Sequence, residues 1–297
     1  MIVHIPVLKK EVLEVLDPSQ NENFIDATIG WAGHTRFILD KIKPEGKVLG
    51  IERDSEICES LKKENIKRLV LINDSYDNLK EIIRDNNFEP VAGILFDLGM
   101  SSWHLEKSGR GFSFLKDEPL DMRYNTKFSI FNFQFSNLTA ERIVNEYPQE
   151  GIERILRDYG EERYAGRLAR KIVEVRKAKP IKTTFQLVEI IKKAGPRKTR
   201  IHPATRTFQA LRIAVNNELN VLNKGLSQII NILEKGGRVA VISFHSLEDR
   251  IVKNFFKENK NKGLLRILTK KPIMAQKEEI KNNPRCRSAR LRAAIKL

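Results

Sequence analysis

The chain has 297 residues, enough for one large domain or a large domain carrying a smaller one, and its 41% hydrophobic content suits a globular protein. No run approaches the ~18 apolar residues of a membrane helix, the acid-bearing amphipathic start MIVHIPVLKKEVLEVL is unlike a signal peptide, and Cys58 and Cys286 stand far apart outside any Cys-x-x-Cys pair, which argues against a membrane span, a disulfide framework and a zinc site; no metal is expected, and a cytoplasmic location is. The net charge of +16 is uneven: residues 1–150 hold 19 Lys/Arg against 25 Asp/Glu, whereas 151–217 hold 17 against 6 and 253–297 hold 14 against 3, which points to nucleic acid as the partner.

Apolar runs alternate with helical patterns through the first hundred residues. Strands are expected at Phe24–Ile29, Lys47–Glu52, Leu69–Ile72 and Val91–Phe96, with helices at about Thr35–Lys41 and Ser55–Asn65 between them. Such β-α-β units imply an α/β fold with a parallel sheet covered on both faces. From about Leu138 to Lys193 helices follow one another without strands. One of them, near Glu161–Lys177, sorts Arg163, Arg167, Arg170 and Lys171 onto one side and Ala165, Leu168, Ile172 and Val175 onto the other. Pro203 then opens a long helix that Gly236-Gly237 is expected to close. The sheet resumes at Arg238–Ser243, followed by a helix over Asp249–Asn259, a loop in the Lys/Asn-rich stretch Lys257–Lys262, and strands at Leu264–Leu268 and Leu291–Ile295. The expected organisation is an α/β core in two parts, 1–125 and 203–297, interrupted by a helical insert at 126–202 that recognises the substrate.

The stretch from Gly93 to Arg123 is the most informative. A buried strand ends on Asp97 and gives way to a long polar loop carrying Arg110, Asp117, Asp121 and Arg123. Ligands of open α/β sheets bind where strands end at the carboxyl edge, and a loop of this length reads as functional.

The first strand runs into Gly30-Trp31-Ala32-Gly33-His34, a glycine turn that lets a ligand approach the backbone. Glu52 ends the second strand, where an acid accepts the hydroxyls of a ribose. A dinucleotide site favours Gly-x-Gly-x-x-Gly, which this chain lacks. A glycine turn without that phosphate fingerprint, an acid on the second strand and Asn73-Asp74-Ser75-Tyr76 on the third fit S-adenosylmethionine instead.

His4-Ile5-Pro6-Val7-Leu8, Asp26-Ala27-Thr28-Ile29-Gly30, Phe96-Asp97-Leu98-Gly99-Met100-Ser101-Ser102, Arg110-Gly111-Phe112-Ser113-Phe114, Pro119-Leu120-Asp121-Met122-Arg123, Ser243-Phe244-His245-Ser246-Leu247-Glu248-Asp249-Arg250 and Asn283-Pro284-Arg285-Cys286-Arg287-Ser288 follow in order from end to end. Together they resemble the bacterial 16S rRNA (cytosine-N4)-methyltransferase family. The resemblance implies a class I S-adenosylmethionine-dependent methyltransferase fold, Rossmann-like, with an inserted all-helical subdomain. It implies N4-methylation of a cytidine in the decoding region of 16S rRNA in the small ribosomal subunit. It places Ala32, Gly33 and His34 on the cofactor, Glu52 on its ribose, Tyr76 by its adenine, and Asp97 and His104 at its methionine end. Three positions depart from the family pattern: Trp31-Ala32 replaces a run of glycines, Glu52 an aspartate, and His104 a glutamine. His104 reads equally as an exposed loop histidine.

Cytosine N4 is a poor nucleophile, so the amine must be held in line with the methyl at about 3–3.5 Å and its proton accepted. Asp97, or a carbonyl after it, is the expected acceptor. His245 is a second expected catalytic residue as a proton relay, or equally a histidine bonded to backbone. Phe112, Phe114 and Trp103 are candidate base platforms, more often plain packing. Arg110, Arg123 and Arg250 are expected on phosphates, with Arg163, Arg167 and Arg170 on the insert. Arg285, Arg287, Arg290 and Arg292 read as an RNA arm or as the solvent face of the last strand, and the local charge favours RNA. Carbon-5 methylation needs a cysteine just after the fourth strand, and none stands there. A nicotinamide oxidoreductase and a non-catalytic RNA-binding assembly factor are the alternative functions. The sequence is compatible with a monomer or a homodimer.

Overall fold

The computed structural model describes residues 6–125, 138–195 and 201–297. His4 and Ile5 of the first motif and residues 126–137 and 196–200 of the expected insert lie outside them. The chain forms two compact units, Met1–Gly99 with Leu219–Leu297, and Met100–Glu218. The boundaries expected after residues 125 and 202 therefore fall inside the second unit.

The first unit begins with α1 (Lys9–Leu16), β1 (Phe24–Asp26), α2 (Gly33–Lys41), β2 (Val48–Ile51), α3 (Ser55–Glu64), β3 (Leu69–Ile72), α4 (Leu79–Asp85) and β4 (Val91–Asp97). The second unit follows as α5 (Ser102–Glu106), α6 (Ala140–Glu146), α7 (Gln149–Gly160), α8 (Ala165–Ala178), α9 (Thr184–Ala194) and α10 (Ala204–Asn216). The chain then adds α11 (Glu218–Ile232), β5 (Leu233–Ser243), α12 (Ser246–Asn261), β6 (Leu265–Ile267), β7 (Ile273–Met274), α13 (Lys277–Asn282) and β8 (Arg290–Lys296).

The strands form one sheet in the order β3-β2-β1-β4-β5-β8-β6, with β7 also on β8. β1 to β5 are parallel, and β8 runs antiparallel to β5, β6 and β7. This is a Rossmann-like methyltransferase core. Strand order reverses between β1 and β4, so the crevice for a ligand opens at their carboxyl ends.

Successive residues of a strand face opposite sides, and both sides are dry. Ile94 and Phe96 of β4 join Ile25, Leu49 and Val241 under Leu79, Leu226, Ile229 and Phe256. Leu95 joins Phe24, Val48 and Ile242 under Val12, Leu16, Ile38 and Leu39. Gly93 is the exception with a purpose, because a Cβ there would meet the Phe24 ring at 2.3 Å.

The second unit has its own core, with Ile152, Leu156, Leu168, Ile172, Leu187 and Leu211 fully or nearly buried. α8 sorts as its periodicity predicts, Leu168, Ala169 and Ile172 inward and Arg167 and Arg170 outward, while Arg163 sits exposed just before it.

Three expectations change. The long helix after Pro203 is two helices, broken at Asn217, whose φ of 52° is left-handed. Its apolar stripe serves two cores: Phe208, Leu211 and Val215 in one, Leu222, Leu226 and Ile229 in the other. The helix ends at Ile232, so Gly236-Gly237 lie within β5, where Gly236 turns at φ 82°. Finally, α12 continues through Lys257–Asn261, where a loop was expected, because Phe256 and Asn259 are buried on its inner face.

Candidate active site

Two buried acids mark the ends of β1 and β2. Asp26 accepts from the Thr35 hydroxyl at 2.6 Å and from the Thr28 N–H at 3.3 Å. Burial, against these two donors, pushes its carboxyl up to about 6. The turn after β1 carries Gly30 at φ 50° and Ala32 at φ 59°, and Gly33 opens α2. A left-handed Ala32 is costly for an L-residue, so its retention in a tight turn beside these acids marks a place where backbone shape matters.

Glu52 follows β2 and is 9% exposed. Asp54 N–H donates to its Oε1 at 2.7 Å, and Gly30 N–H also bonds it. Burial above all, then the Asp54 and Asp26 charges, push it up to about 8. Asn73 at the end of β3 donates its amide to the Glu52 carbonyl at 2.7 Å, tying the two strand ends together. Tyr76 stands edge-on to Phe96 at 5.4 Å between centroids. Gly225 of α11 leaves room for the Tyr76 ring, which a Cβ would meet at 2.7 Å.

Asp97 ends β4. Its N–H donates to Thr28 Oγ1 at 2.6 Å, and its Oδ2 lies 3.7 Å from His34 Nε2. Among the described residues, its buried Oδ1 has no hydrogen-bond partner. Burial first, then the charges of Asp26 and Glu248, push Asp97 up to about 8. The structure thus gathers Ala32, Gly33, His34, Glu52, Tyr76 and Asp97 along the carboxyl edge of one sheet, within the first unit. An acid for ribose hydroxyls, a shaped glycine turn and a buried carboxylate oxygen still lacking a donor fit a bound S-adenosylmethionine.

His245 is an N-cap. Its Nδ1 accepts from the Glu248 N–H at 3.4 Å, while Glu248 Oε2 accepts from the Phe244 N–H at 2.8 Å. Its Nε2 lies 3.2 Å from Glu248 Oε1, close enough to pair but off the line of a hydrogen bond. Both ring nitrogens therefore face the same glutamate, which favours the backbone-bonded reading over the relay.

Within the second unit, His104 is 4% exposed, caps α5 through Ser101 and packs against Trp103, Phe112 and Tyr124. It is not an exposed loop histidine. Phe112 is core, at 3% exposure. Phe114 stacks on His202 at 4.4 Å. Arg110 corrects an expectation: it is buried, donates to the Tyr124 carbonyl at 2.7 Å and covers Trp103, so its guanidinium closes the loop on itself and is not presented to a phosphate. Arg123 bonds both oxygens of Asp121 at 2.7 Å and stays partly exposed.

The basic residues divide by exposure. Arg163, Arg167, Arg170, Arg250, Arg285 and Arg287 are exposed. Arg290 and Arg292 are not an arm, because β8 turns both onto the buried Asp249, with Arg292 Nε 2.7 Å and Arg290 3.2 Å away. Burial raises the Asp249 carboxyl, but the two guanidinium groups outweigh it and hold it below the usual range.

Sequence reasoning missed Thr28, Thr35, Glu248 and Asn216. Thr28 and Glu248 stood inside quoted motifs, so their presence was visible and their partners were not. Asn216 carried only a weak signal, a polar pair Asn216-Asn217 in an apolar helical stripe.

The sequence pattern of the MraW methylase family matches residues 1–297. The chain is 46% identical to Ribosomal RNA small subunit methyltransferase H of Halothermothrix orenii, over 99% of this chain and 98% of that protein. It is also 46% identical to the protein of the same name from Sulfurihydrogenibium azorense, over 100% of each, and to that of Dictyoglomus thermophilum, over 98% of this chain and 95% of the other. With the methyltransferase sheet and its strand-end acids in place, the match across the full length shows that this chain belongs to the MraW methylase family.

Proposed function

We propose that the protein transfers a methyl group from S-adenosylmethionine to N4 of a cytidine in the decoding region of 16S rRNA, acting on the small ribosomal subunit in the cytoplasm. The observation that carries this reading is the row of acids at the neighbouring ends of β2, β1 and β4, Glu52, Asp26 and Asp97, in a chain aligned end to end with small-subunit rRNA methyltransferases. Among the described residues no helix is long and apolar enough to cross a membrane.

Bound at this site, S-adenosylmethionine would supply an electrophilic sulfonium methyl, with the thioether sulfur as the leaving group for an attacking N4. The chain's own residues do the rest. Glu52 accepts the ribose hydroxyls in place of the Gly30 and Asp54 N–H groups that it now binds. Ala32, Gly33 and His34 would contact the bound cofactor, Tyr76 would lie by its adenine, and Asp97 would border its methionine end. Asp97, fixed by Thr28, accepts the amine proton at Oδ1, the atom that lacks a donor. His104, at the centre of an aromatic cluster, positions the start of the loop. Arg163, Arg167 and Arg170 present charge to RNA, with Arg123, Arg250, Arg285 and Arg287 as further contacts. Residues 126–202 and the adjoining helices form the RNA-recognising part.

The test is nucleoside mass spectrometry on unmodified small subunits incubated with the protein and methyl-labelled S-adenosylmethionine. Labelled N4-methylcytidine is expected. Label on another base, or none despite cofactor and RNA binding, overturns the reading. Tight NADH binding in an optical titration would favour the oxidoreductase instead.

A further inference from the structure

The turn between α7 and α8 presents an aromatic ring among the arginines. Tyr164 is 43% exposed, and among the described residues its ring meets no other ring and its hydroxyl has no hydrogen bond. An exposed tyrosine alone is ordinary. This one is held in place. Its N–H donates to Glu162 Oε1 at 3.0 Å, its carbonyl accepts from the Leu168 N–H at 2.9 Å, and Arg206 donates to the Glu161 carbonyl at 3.1 Å. The backbone that carries the ring is therefore fixed at the start of α8, one turn before Arg167.

The charge around the ring is uncompensated. The acids of α7 and α8 are engaged locally: Glu162 by the Tyr164 N–H, Glu153 by Arg157 at 3.1 Å, and Glu174 by Lys171 at 2.8 Å. Arg163 and Arg167 are exposed and pair with none of them. The other strongly basic helix differs. Lys253, Lys257 and Lys260 are exposed on α12, but Phe255 and Phe256 pack inward, so that helix carries charge without an exposed ring. Among the described residues the exposed aromatic side chains are Tyr164 and Phe185, both in the second unit. Lysine holds phosphate as a point charge, whereas tyrosine rings and guanidinium planes also stack on bases.

We infer that Tyr164 is a stacking platform for one unpaired nucleobase, with Arg163 and Arg167 on the neighbouring phosphates, so that the start of α8 takes single-stranded RNA in preference to a duplex. The inference rests on the second unit gripping RNA. In a duplex each base is already stacked on its neighbours, and the ring gains nothing by approaching it. An unpaired base has a free face, and single strands are recognised in just this way. Tyrosine has two side-chain torsions and its turn is fixed, so little freedom is lost when a base settles on it.

The experiment measures binding of the full chain to a short RNA without self-complementarity, and to the same strand in a full duplex. Replacing Tyr164 by Leu should weaken binding of the single strand about 5- to 150-fold, the loss of one base–aromatic stack. Duplex affinity and the salt slope should stay as they were, because no phosphate contact is removed. Tyr164→Trp should retain the affinity. With 2-aminopurine placed at successive positions of the strand, Tyr164→Leu should lose fluorescence quenching at one of them, and Tyr164→Trp should keep it. If Tyr164→Leu binds the single strand as the starting protein does, or weakens strand and duplex equally, the platform is disproved. If only binding to whole small subunits falls, the ring meets a protein and the inference is overturned. A starting protein that binds neither RNA sinks the RNA reading itself, an outcome distinct from all of these because it appears before any residue is changed.

Discussion

Asn216 donates its amide to the carbonyl of Met122 at 2.7 Å, and the Met122 backbone is left-handed at φ 62°. The same side chain accepts from the Tyr124 N–H at 3.0 Å, so one buried asparagine replaces the two partners that a strand would have given this bend. Arg110 completes the clamp, with its carbonyl taking the Met122 N–H at 2.7 Å. Replacing Asn216 by Ala strands a buried donor and acceptor at a strained residue. It should cost about 2–4 kcal/mol, read as a lower denaturant midpoint, and no loss would mean that water serves as well.

Asp26, Glu52 and Asp97 set a pH dependence of the cofactor-free protein. Each holds its proton more tightly folded than unfolded, so its contribution is complete below the ordinary carboxylate range and is lost as pH rises through the folded value. The window runs from about 4 to 8, with Asp26 released first, near 6, and the other two near 8. Melting temperature should therefore fall between pH 5 and 8, at up to about 1.4 kcal/mol per pH unit for each group. Asp97→Asn should flatten part of the slope; a slope unaltered by that change would assign it elsewhere.

Asp249 works in the opposite sense. Its carboxyl is held low by Arg292 and Arg290, so its contribution exists above the ordinary aspartate range and disappears as pH drops through its folded value. Arg292→Met leaves a buried acid with one weaker partner. It should cost of order 3 kcal/mol and move acid unfolding to higher pH, which circular dichroism can follow.

Arg163, Arg167 and Arg170 are exposed and make no ion pair among the described residues. Changing all three to Ala should leave the melting temperature within about one degree of the original, because exposed sites contribute little. RNA affinity should drop, and the salt slope should shrink by about 0.7–0.9 for each contact removed. An unchanged slope would place the RNA on another face.

Most of the sheet was legible because its strands are short apolar runs punctuated by glycine or acid, but the two-residue β7 (Ile273–Met274) and the antiparallel direction of β8 were not. Leu69–Ile72 matches its expected span, and Val91–Asp97 extends its own by one residue. The break at Asn217 was not, since the apolar stripe keeps helical spacing across it, and only the partition of that stripe between two cores reveals it. Lys257–Asn261 misled by composition: one buried asparagine and one buried phenylalanine outweigh the solvated lysines. Of the site, Glu52 and Asp97 could be found from strand ends alone. Arg110 could not be placed, because a loop arginine aimed at a phosphate and one aimed at its own backbone have the same spacing.

The discontinuous first unit has a kinetic consequence. Ile94 and Val239 are neighbours in the sheet, yet the entire second unit lies between them in the chain. Their pairing must close a very long loop, which makes it a late and slow event. Early formation of the inserted helices, rich in local contacts, would remove much of that loop's freedom beforehand. Weakening the inserted unit should then retard refolding of the sheet, so its helices serve the rate of assembly of a sheet they are not part of.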